Sequence, residues 1–342
     1  MEIKNFSKLN TSFGDDRNST STQLETRKSG YVVMEDNNLK YNRPKNIYTA
    51  AIGFFDGVHL GHRFVIEQLK MLAENNNSLS LIVTFGVHPR KVLQSGFQPK
   101  LLTTLPEKIC LLEKQGVDAC TILDFTPEIA RISAYNFMKE VLKEQYNIGT
   151  LLIGYDHRFG HKRQDKFPDY VRYGEMLGMQ VVLSERFSDD QLGNVSSSEI
   201  REALQNGQIE KANSMLGYPY FFEGKVVDGF KVGRKIGFPT ANLQLEDKDK
   251  LLPASGVYAV KVTIDGKTLY PGMLNIGNRP TLANNNEMSV EVHIIGFDED
   301  IYGQTIEVQF IRKIRDEKKF DDISKLIKQL EKDKKDVLNS MF

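Results

Sequence analysis

From Tyr48 onward, short apolar runs alternate with longer segments of helical period. The runs YTAAI, SLIVTF, CTILDF, TLLIG and QVVLSE have the length and composition of strands. Between them, Val65, Ile66, Leu69, Leu72 and Ala73 make one apolar face after His62. Pro106 stands where a first helical turn tolerates it, ahead of Ile109, Leu111 and Leu112, and Pro127 opens another helix. A further helical stretch runs from about Ser198 to Leu216. Strand and helix in alternation predict βα units and a mainly parallel sheet.

The grammar changes near Gly217. FFEGKVVDG, GVYAVKVTIDGKTLYPGMLNIG, MSVEVHIIGF and GQTIEVQFI are alternating runs separated by Gly, Asp and Asn turns. Closely spaced strands without intervening helices predict an antiparallel barrel. The chain closes on a helix in which Ile323, Leu326, Ile327, Leu330 and Val337 form a stripe, with Lys and acids as its solvated face. Residues 1 to about 45 are rich in Ser, Thr, Asn and charge, with Tyr31-Val32-Val33-Met34 as their main apolar run, so they bury little to offset ordering entropy. The expected fold class is α/β plus β. A poorly ordered extension (1–46) precedes a parallel-sheet domain (47–216) and an antiparallel barrel domain with a C-terminal helix (217–342).

A length of 342 residues fits two domains, each with its own core. Lys plus Arg is 45 and Asp plus Glu is 45, so no basic footprint points to nucleic acid, and small molecules are the expected partners. No apolar run approaches membrane-span length and no charged-then-apolar leader follows Met1, which predicts a cytoplasmic protein, either a monomer or a weak homo-oligomer. Cys110 and Cys120 lie in mainly apolar stretches without metal-ligand spacing and are read as core residues. Asn18-Ser19-Thr20 matches a glycosylation acceptor that matters only in a secretory compartment.

Two Gly-punctuated stretches carry candidate phosphate chemistry. In GFFDGVHLGH, Gly53 to His62, a strand feeds a turn and then a helix, aiming backbone N–H groups and the positive helix end at one spot suited to a triphosphate. Gly53, Phe54, Asp56 and Gly57 are its candidate nucleotide-binding positions. His59 and His62, three apart, share a face at the helix start. They read as donors to phosphate oxygens or, as an H-x-x-H pair taken alone more often is, as capping, half-buried histidines. The second stretch, VGRKIGFPTAN from Val232 to Asn242, reads as a Gly-rich hairpin with a Pro turn or as a phosphate loop.

The first stretch resembles the HxGH motif of the nucleotidylyltransferase superfamily, and more narrowly the adenylyltransferase half of bacterial bifunctional riboflavin kinase/FAD synthetases. VTFGVHPRKVL at Val83, IGYDHRFGHKR at Ile153 and VSSSEIREAL at Val195 agree with that family in order and spacing. The resemblance implies a Rossmann-like domain in which His59 and His62 meet the ATP phosphates. It also implies that Ser196, Ser197, Ser198 and Arg201 hold the outgoing pyrophosphate, and that Asp156 and Phe159 lie near the flavin. Taken alone, the serines read as a helix cap. Many members carry Asn at the place of Phe54, Phe at the place of His157 and Pro at the place of Val87.

GKVVDGFKVGRKIGFPTANL at Gly224 resembles the riboflavin kinase domain of the same family. The resemblance implies that Thr240 and Asn242 hold Mg²⁺ with ATP, and that the loop containing Gly233, Arg234 and Gly237 covers the phosphates. In MSVEVHIIGF, strand alternation sets Val290, Val292 and Ile294 on one side and Glu291 and His293 on the other. Glu291 reads as a surface residue or as a proton acceptor; the resemblance places it at the catalytic base. The implied activities are phosphorylation of riboflavin by ATP to FMN, and adenylylation of FMN by ATP to FAD with release of pyrophosphate. A flavin carrier with vestigial catalytic residues would lack a phosphate group or the base, and this sequence retains all of them.

Overall fold

A computed structural model of the protein describes residues 46–93, 100–155, 157–161, 164–229, 232–279 and 287–341, together with two short strands before them, β1 (Glu25–Thr26) and β2 (Val32–Glu35). The chain divides into two compact units, which meet in sequence between Val195 and Ser196.

In the first unit the βα grammar continues through β3 (Tyr48–Ile52), α1 (Leu60–Asn75), β4 (Leu79–Phe85), α2 (Pro89–Leu93), α3 (Leu105–Glu113) and β5 (Ala119–Leu123). It then runs through α4 (Pro127–Arg131), α5 (Ala134–Asn136), a π-helical segment (Phe137–Gln145), β6 (Ile148–Ile153), α6 (Phe167–Leu177) and β7 (Gln180–Leu183). The sheet is seven-stranded in the order β1-β2-β5-β4-β3-β6-β7. β1 pairs antiparallel with β2, and every other pairing is parallel. All five residues of β3 are buried, as expected of a strand covered on both faces.

The chain builds outward from β3 to β4 and β5, then returns to add β6 and β7 on the other side. This reversal makes the carboxyl ends of β3 and β6 a topological switch point, where open α/β sheets bind ligands. The core against one face gathers Tyr48, Ala50, Leu81, Val83, Phe137, Met138, Leu142, Leu151 and Tyr170. Local signals agree with the sequence. Ile66, Leu69 and Ala73 are the buried residues of α1, and Thr104 with Glu107 forms a reciprocal capping box at the Pro106 helix. Cys120 is fully buried and Cys110 half-buried. The strand β2 falls inside the stretch read as a poorly ordered extension and extends the sheet beside β5. Asn18 to Thr20 lies outside the described residues.

The second unit opens with α7 (Ser197–Gln205) and α8 (Ile209–Leu216), continues through β8 (Phe221–Val227), α9 (Val232–Lys235), β9 (Ala241–Gln244), β10 (Gly256–Ile264), β11 (Thr268–Arg279), β12 (Glu287–Ile294) and β13 (Thr305–Arg315), and ends in α10 (Ile323–Asn339). The helical stretch from Ser198 to Leu216 is thus two helices, parted at Gly207, whose φ of 71° ends the first. This pair packs with the barrel: the Asn213 side chain donates to Phe310 O at 2.9 Å and accepts from Tyr220 N at 2.7 Å. The six antiparallel strands close in the order β10-β11-β12-β9-β8-β13. Tyr258, Val260, Leu274, Ile276, Val292, Val308 and Phe310 are among its buried residues.

A second, smaller cluster of Phe238, Val257, Ala259, Met273, Ile295 and Val337 is flanked by Ile327 and Leu330 of α10. Ile323, read as part of that stripe, is instead 65% exposed, because it begins the helix directly after its Asp322 cap. Asp333, read as solvated, is buried and paired with Arg315 at 2.8 Å.

Candidate functional site

The turn between β3 and α1 has an uncommon backbone. Phe55, Gly57 and Val58 all have positive φ, at 54°, 81° and 38°. For Phe55 and the β-branched Val58 this conformation is strained, and such strain persists only where surrounding contacts over-determine it. Those contacts are visible. Phe55 and Val58 are buried. The Asp56 carboxylate accepts from Leu102 N at 3.0 Å, Thr103 N at 2.9 Å and the Thr103 hydroxyl at 3.1 Å, and Gly57 N donates to that same hydroxyl. Asp56 and Gly57 therefore fix the backbone of this loop to the Leu102–Thr103 segment.

That backbone delivers His59 to the N-cap of α1, where its Nδ1 accepts from His62 N at 3.3 Å. An accepting Nδ1 carries no proton, so the neutral ring bears its N–H on Nε2. The two imidazoles stack with centroids 3.6 Å apart, and Phe55 packs edge-on against His62. Capping and pairing of the histidines thus coexist, at a helix start whose orphan N–H groups and dipole suit an anion.

Three further motif segments were named by sequence. Gly86 to His88 follows β4, and His88 meets the Phe54 ring edge-on at 4.6 Å. After β6, His157 N closes a turn on Gly154 O, and Phe159 stacks on Tyr170 at 4.5 Å, its N–H donating to the Tyr170 hydroxyl. Phe159 is therefore a half-buried support of that loop, while Asp156 lies outside the described residues. Ser196 caps α7 by accepting from Glu199 N at 3.3 Å, with Ser197, Ser198 and Arg201 on its opening turns in the barrel-containing unit.

One residue beside the first loop was not singled out by sequence. Lys108 of α3 is buried, and its ammonium donates to Phe54 O at 3.1 Å and Phe85 O at 2.8 Å. Burial lowers its pKa to about 8, opposed by the neighbouring charge of Asp56. A signal existed: Lys108 falls three and four positions before Leu111 and Leu112, on the buried face of its helix.

On the barrel, β12 lies between β11 and β9, with Glu291 opposite Asn275 on one side and Asn242 on the other. The Thr240 hydroxyl donates to Glu291 Oε2 at 3.4 Å. Thr240, Asn242 and Glu291 are thus brought together, as a cluster of hard oxygen donors. Gly229 leaves room for Asn242, because a Cβ there would overlap the Asn242 side-chain amide. Gly233 and exposed Arg234 fall in the short helix α9, where sequence suggested only loop, and Gly237 follows it with φ at 85°.

One step beyond Glu291 and on the same side of the strand, His293 is buried against Phe238, and its Nδ1 bonds Pro239 O at 2.8 Å. Burial lowers its pKa below the ordinary 6.5, the Pro239 carbonyl opposes that shift, and Lys334 of α10 adds to it. Among the described residues no group of three or more His, Cys, Asp or Glu could hold a metal ion.

A parallel sheet with strained loop and stacked histidines at its switch point, joined in one chain to a closed barrel with a Thr-Asn-Glu cluster, defines a two-domain phosphate-transfer enzyme. The FAD synthetase family model matches residues 41–199 and the riboflavin kinase model residues 216–341. The bifunctional riboflavin kinase/FMN adenylyltransferase of Listeria monocytogenes is 38% identical over 288 residues, covering 84% of this chain and 90% of the relative. That of Haemophilus influenzae is 39% identical over 283 residues, covering 83% and 91%. A solved structure titled as a macrolide-efflux protein of Streptococcus pneumoniae superposes with a TM-score of 0.78 at 30% identity, covering 87% of this chain and 98% of that one. Among the described residues of this chain no helix is long and apolar enough to cross a membrane. The chain belongs to the bifunctional riboflavin kinase/FMN adenylyltransferase family and has both of its activities.

Proposed function

We propose that the two reactions run at the two constellations separately, FMN formation on the barrel and FAD formation at the switch point of the parallel sheet. The observation that carries this assignment is that the stacked His59 and His62 belong to one compact unit, and the Thr240, Asn242 and Glu291 cluster to the other. The functional boundary between 199 and 216, where one family model ends and the other begins, supports a division near Gly217. By pattern, α7 then serves the transferase, although it is compact with the barrel.

On the barrel, the Glu291 carboxylate accepts the proton of riboflavin's primary hydroxyl as its oxygen bonds to the γ-phosphorus of ATP and ADP leaves. Thr240 and Asn242 fit Mg²⁺, since a hydroxyl and an amide oxygen are hard, neutral donors of the kind this cation takes while keeping several waters. When bound there, Mg²⁺ supplies neutralisation of the ATP phosphate charge. Gly233, Arg234 and Gly237 belong to the cover over those phosphates.

In the second reaction the FMN phosphate is already a nucleophile. An oxygen of that phosphate bonds to the α-phosphorus of ATP, the α–β bridging bond breaks, and pyrophosphate departs with the electron pair. No base is required, so catalysis rests on orientation and on donors to developing charge. Gly53, Phe54, Gly57, His59 and His62 supply these for ATP, Ser196, Ser197, Ser198 and Arg201 for the outgoing pyrophosphate, and Asp156 and Phe159 border the flavin. The partners are small molecules. On this reading the protein works in the cytoplasm without nucleic acid, as a monomer or weak homo-oligomer.

The assignment is tested by chromatography of the purified full chain with riboflavin, ATP and Mg²⁺. FMN and FAD are both expected. Absence of FMN removes the kinase assignment, and FMN without FAD removes the transferase assignment.

A further inference from the structure

The loop that carries His59 leaves the sheet at Phe54, and two of its non-glycine residues hold strained left-handed conformations. A loop of that kind keeps its shape only when anchored at more than one point. Asp56 anchors its middle on Leu102 and Thr103. The beginning is held at Phe54 O, which accepts from both the Thr84 hydroxyl at 3.1 Å and the Lys108 ammonium at 3.1 Å. The same ammonium binds Phe85 O at 2.8 Å, where β4 ends beside β3. It also lies 4.1 Å from the centre of the Phe54 ring, whose edge contact is His88.

We infer that Lys108 is a positioning residue for adenylyl transfer: its buried ammonium ties the carboxyl ends of β3 and β4 together through Phe54 O and Phe85 O, and so sets the loop that presents His59 and His62 to ATP. The inference rests on the transferase reading of that loop. Three observations favour a positioning role over plain stabilisation. Burying a lysine is unfavourable for a fold, and an apolar side chain on this helix face would serve packing as well. The hydrogen bonds of its ammonium go to the segment ahead of the histidines and to the adjoining strand end. Lys108 is 2% exposed and both acceptors of its ammonium are main-chain carbonyls, so it acts through the backbone.

The charged and titratable groups facing Lys108 are Asp56 of the loop and Cys120 of β5, with His88 on the far side of the Phe54 ring. The charge that holds the two carbonyls is therefore lost as the pH rises through about 8. Its loss weakens both bonds, since hydrogen bonds from ionised donors are the stronger kind.

The test uses the full chain with FMN and ATP supplied, and compares Lys108→Met with His62→Ala and wild type. Lys108→Met is expected to lower kcat for FAD formation by about ten- to a hundredfold, as misplacement of a catalytic group by about 1 Å does. KM for FMN and the rate of FMN formation from riboflavin are expected to stay at wild-type values. A Lys108→Met protein with lowered melting temperature but unchanged kcat below it would show a stabilising lysine and overturn the inference. If His62→Ala kept full FAD formation, the transferase reading itself would fall. Should Lys108→Met not fold, the wild-type pH profile decides. Decline of FAD formation above about pH 8, without a matching decline of FMN formation, is expected, and parallel profiles would refute the clamp.

Discussion

His59 and His62 stack nearly parallel, their ring centroids 3.6 Å apart and their planes 17° from one another. The pair is a single device. His59 caps α1 through Nδ1, and its ring is the wall against which His62 is held, with Phe55 packed edge-on against His62. Truncating one ring removes a donor and loosens its neighbour.

His62→Ala is expected to reduce FAD formation from supplied FMN by about 10²- to 10³-fold, the usual scale for losing an oriented donor to transition-state charge. FMN formation from riboflavin should stay intact. His59→Ala should add about 1 kcal/mol of instability through the lost cap. Product chromatography reads the first effect, and urea unfolding followed by circular dichroism reads the second; the chain has no tryptophan to report by fluorescence.

Glu291→Gln keeps the shape and the Thr240 contact but removes the proton acceptor. FMN formation should fall by about 10²- to 10⁴-fold, with FAD formation from supplied FMN unchanged. Loss of both products from this one substitution would refute the division of labour.

Gly229→Ala places a methyl group where the Asn242 amide lies. The displaced amide should raise the Mg-ATP KM of the kinase reaction by about tenfold or more, leaving the transferase unaffected. Initial rates at varied ATP measure it. An unchanged KM would mean that Asn242 does not meet the nucleotide.

His293 gives a pH dependence whose sign follows from its burial. The folded pKa lies below the unfolded value near 6.5, so the unfolded chain binds more protons between the two. The contribution is fully present above pH 6.5 and is lost on acidification from there through the lowered folded pKa. Urea unfolding of the barrel should show a loss of stability below pH 6.5 that His293→Gln flattens, and an equal acid loss in the variant would assign it elsewhere.

The sequence disclosed most of this architecture because its periods are plain. YTAAI is short, mostly apolar and followed by a Gly turn, as a covered strand is, and the Val290-Val292-Ile294 alternation places Glu291 opposite the barrel interior. The family motifs pointed to His59, His62, Thr240, Asn242 and Glu291, the side chains proposed to do the chemistry themselves. Residues that act through the backbone were hidden. Lys108 looks like any helix lysine until the two carbonyls it binds are seen, and those lie 54 and 23 positions away in sequence. Asp56 reads from the motif as a nucleotide-binding position, and its carboxylate accepts from Leu102 and Thr103, a segment that no local pattern connects with it. His293 reads as polar and outward because the period is two. It is buried because Phe238 and the cluster covered by α10 lie over that side of the strand.

The barrel's closure sets an order on synthesis. β8 must wait for β13, its partner from Gln309↔Phe221 to Thr305↔Lys225, whereas the parallel sheet has all its strands once Leu183 has emerged. As domains fold in turn from the N-terminus during translation, each new molecule can complete its parallel sheet well before it can close its barrel. On the proposed assignment, the machinery of the first reaction is the last to mature. A chain cut short between β12 and β13 would keep every strand of the parallel sheet and leave the barrel open between β8 and β10.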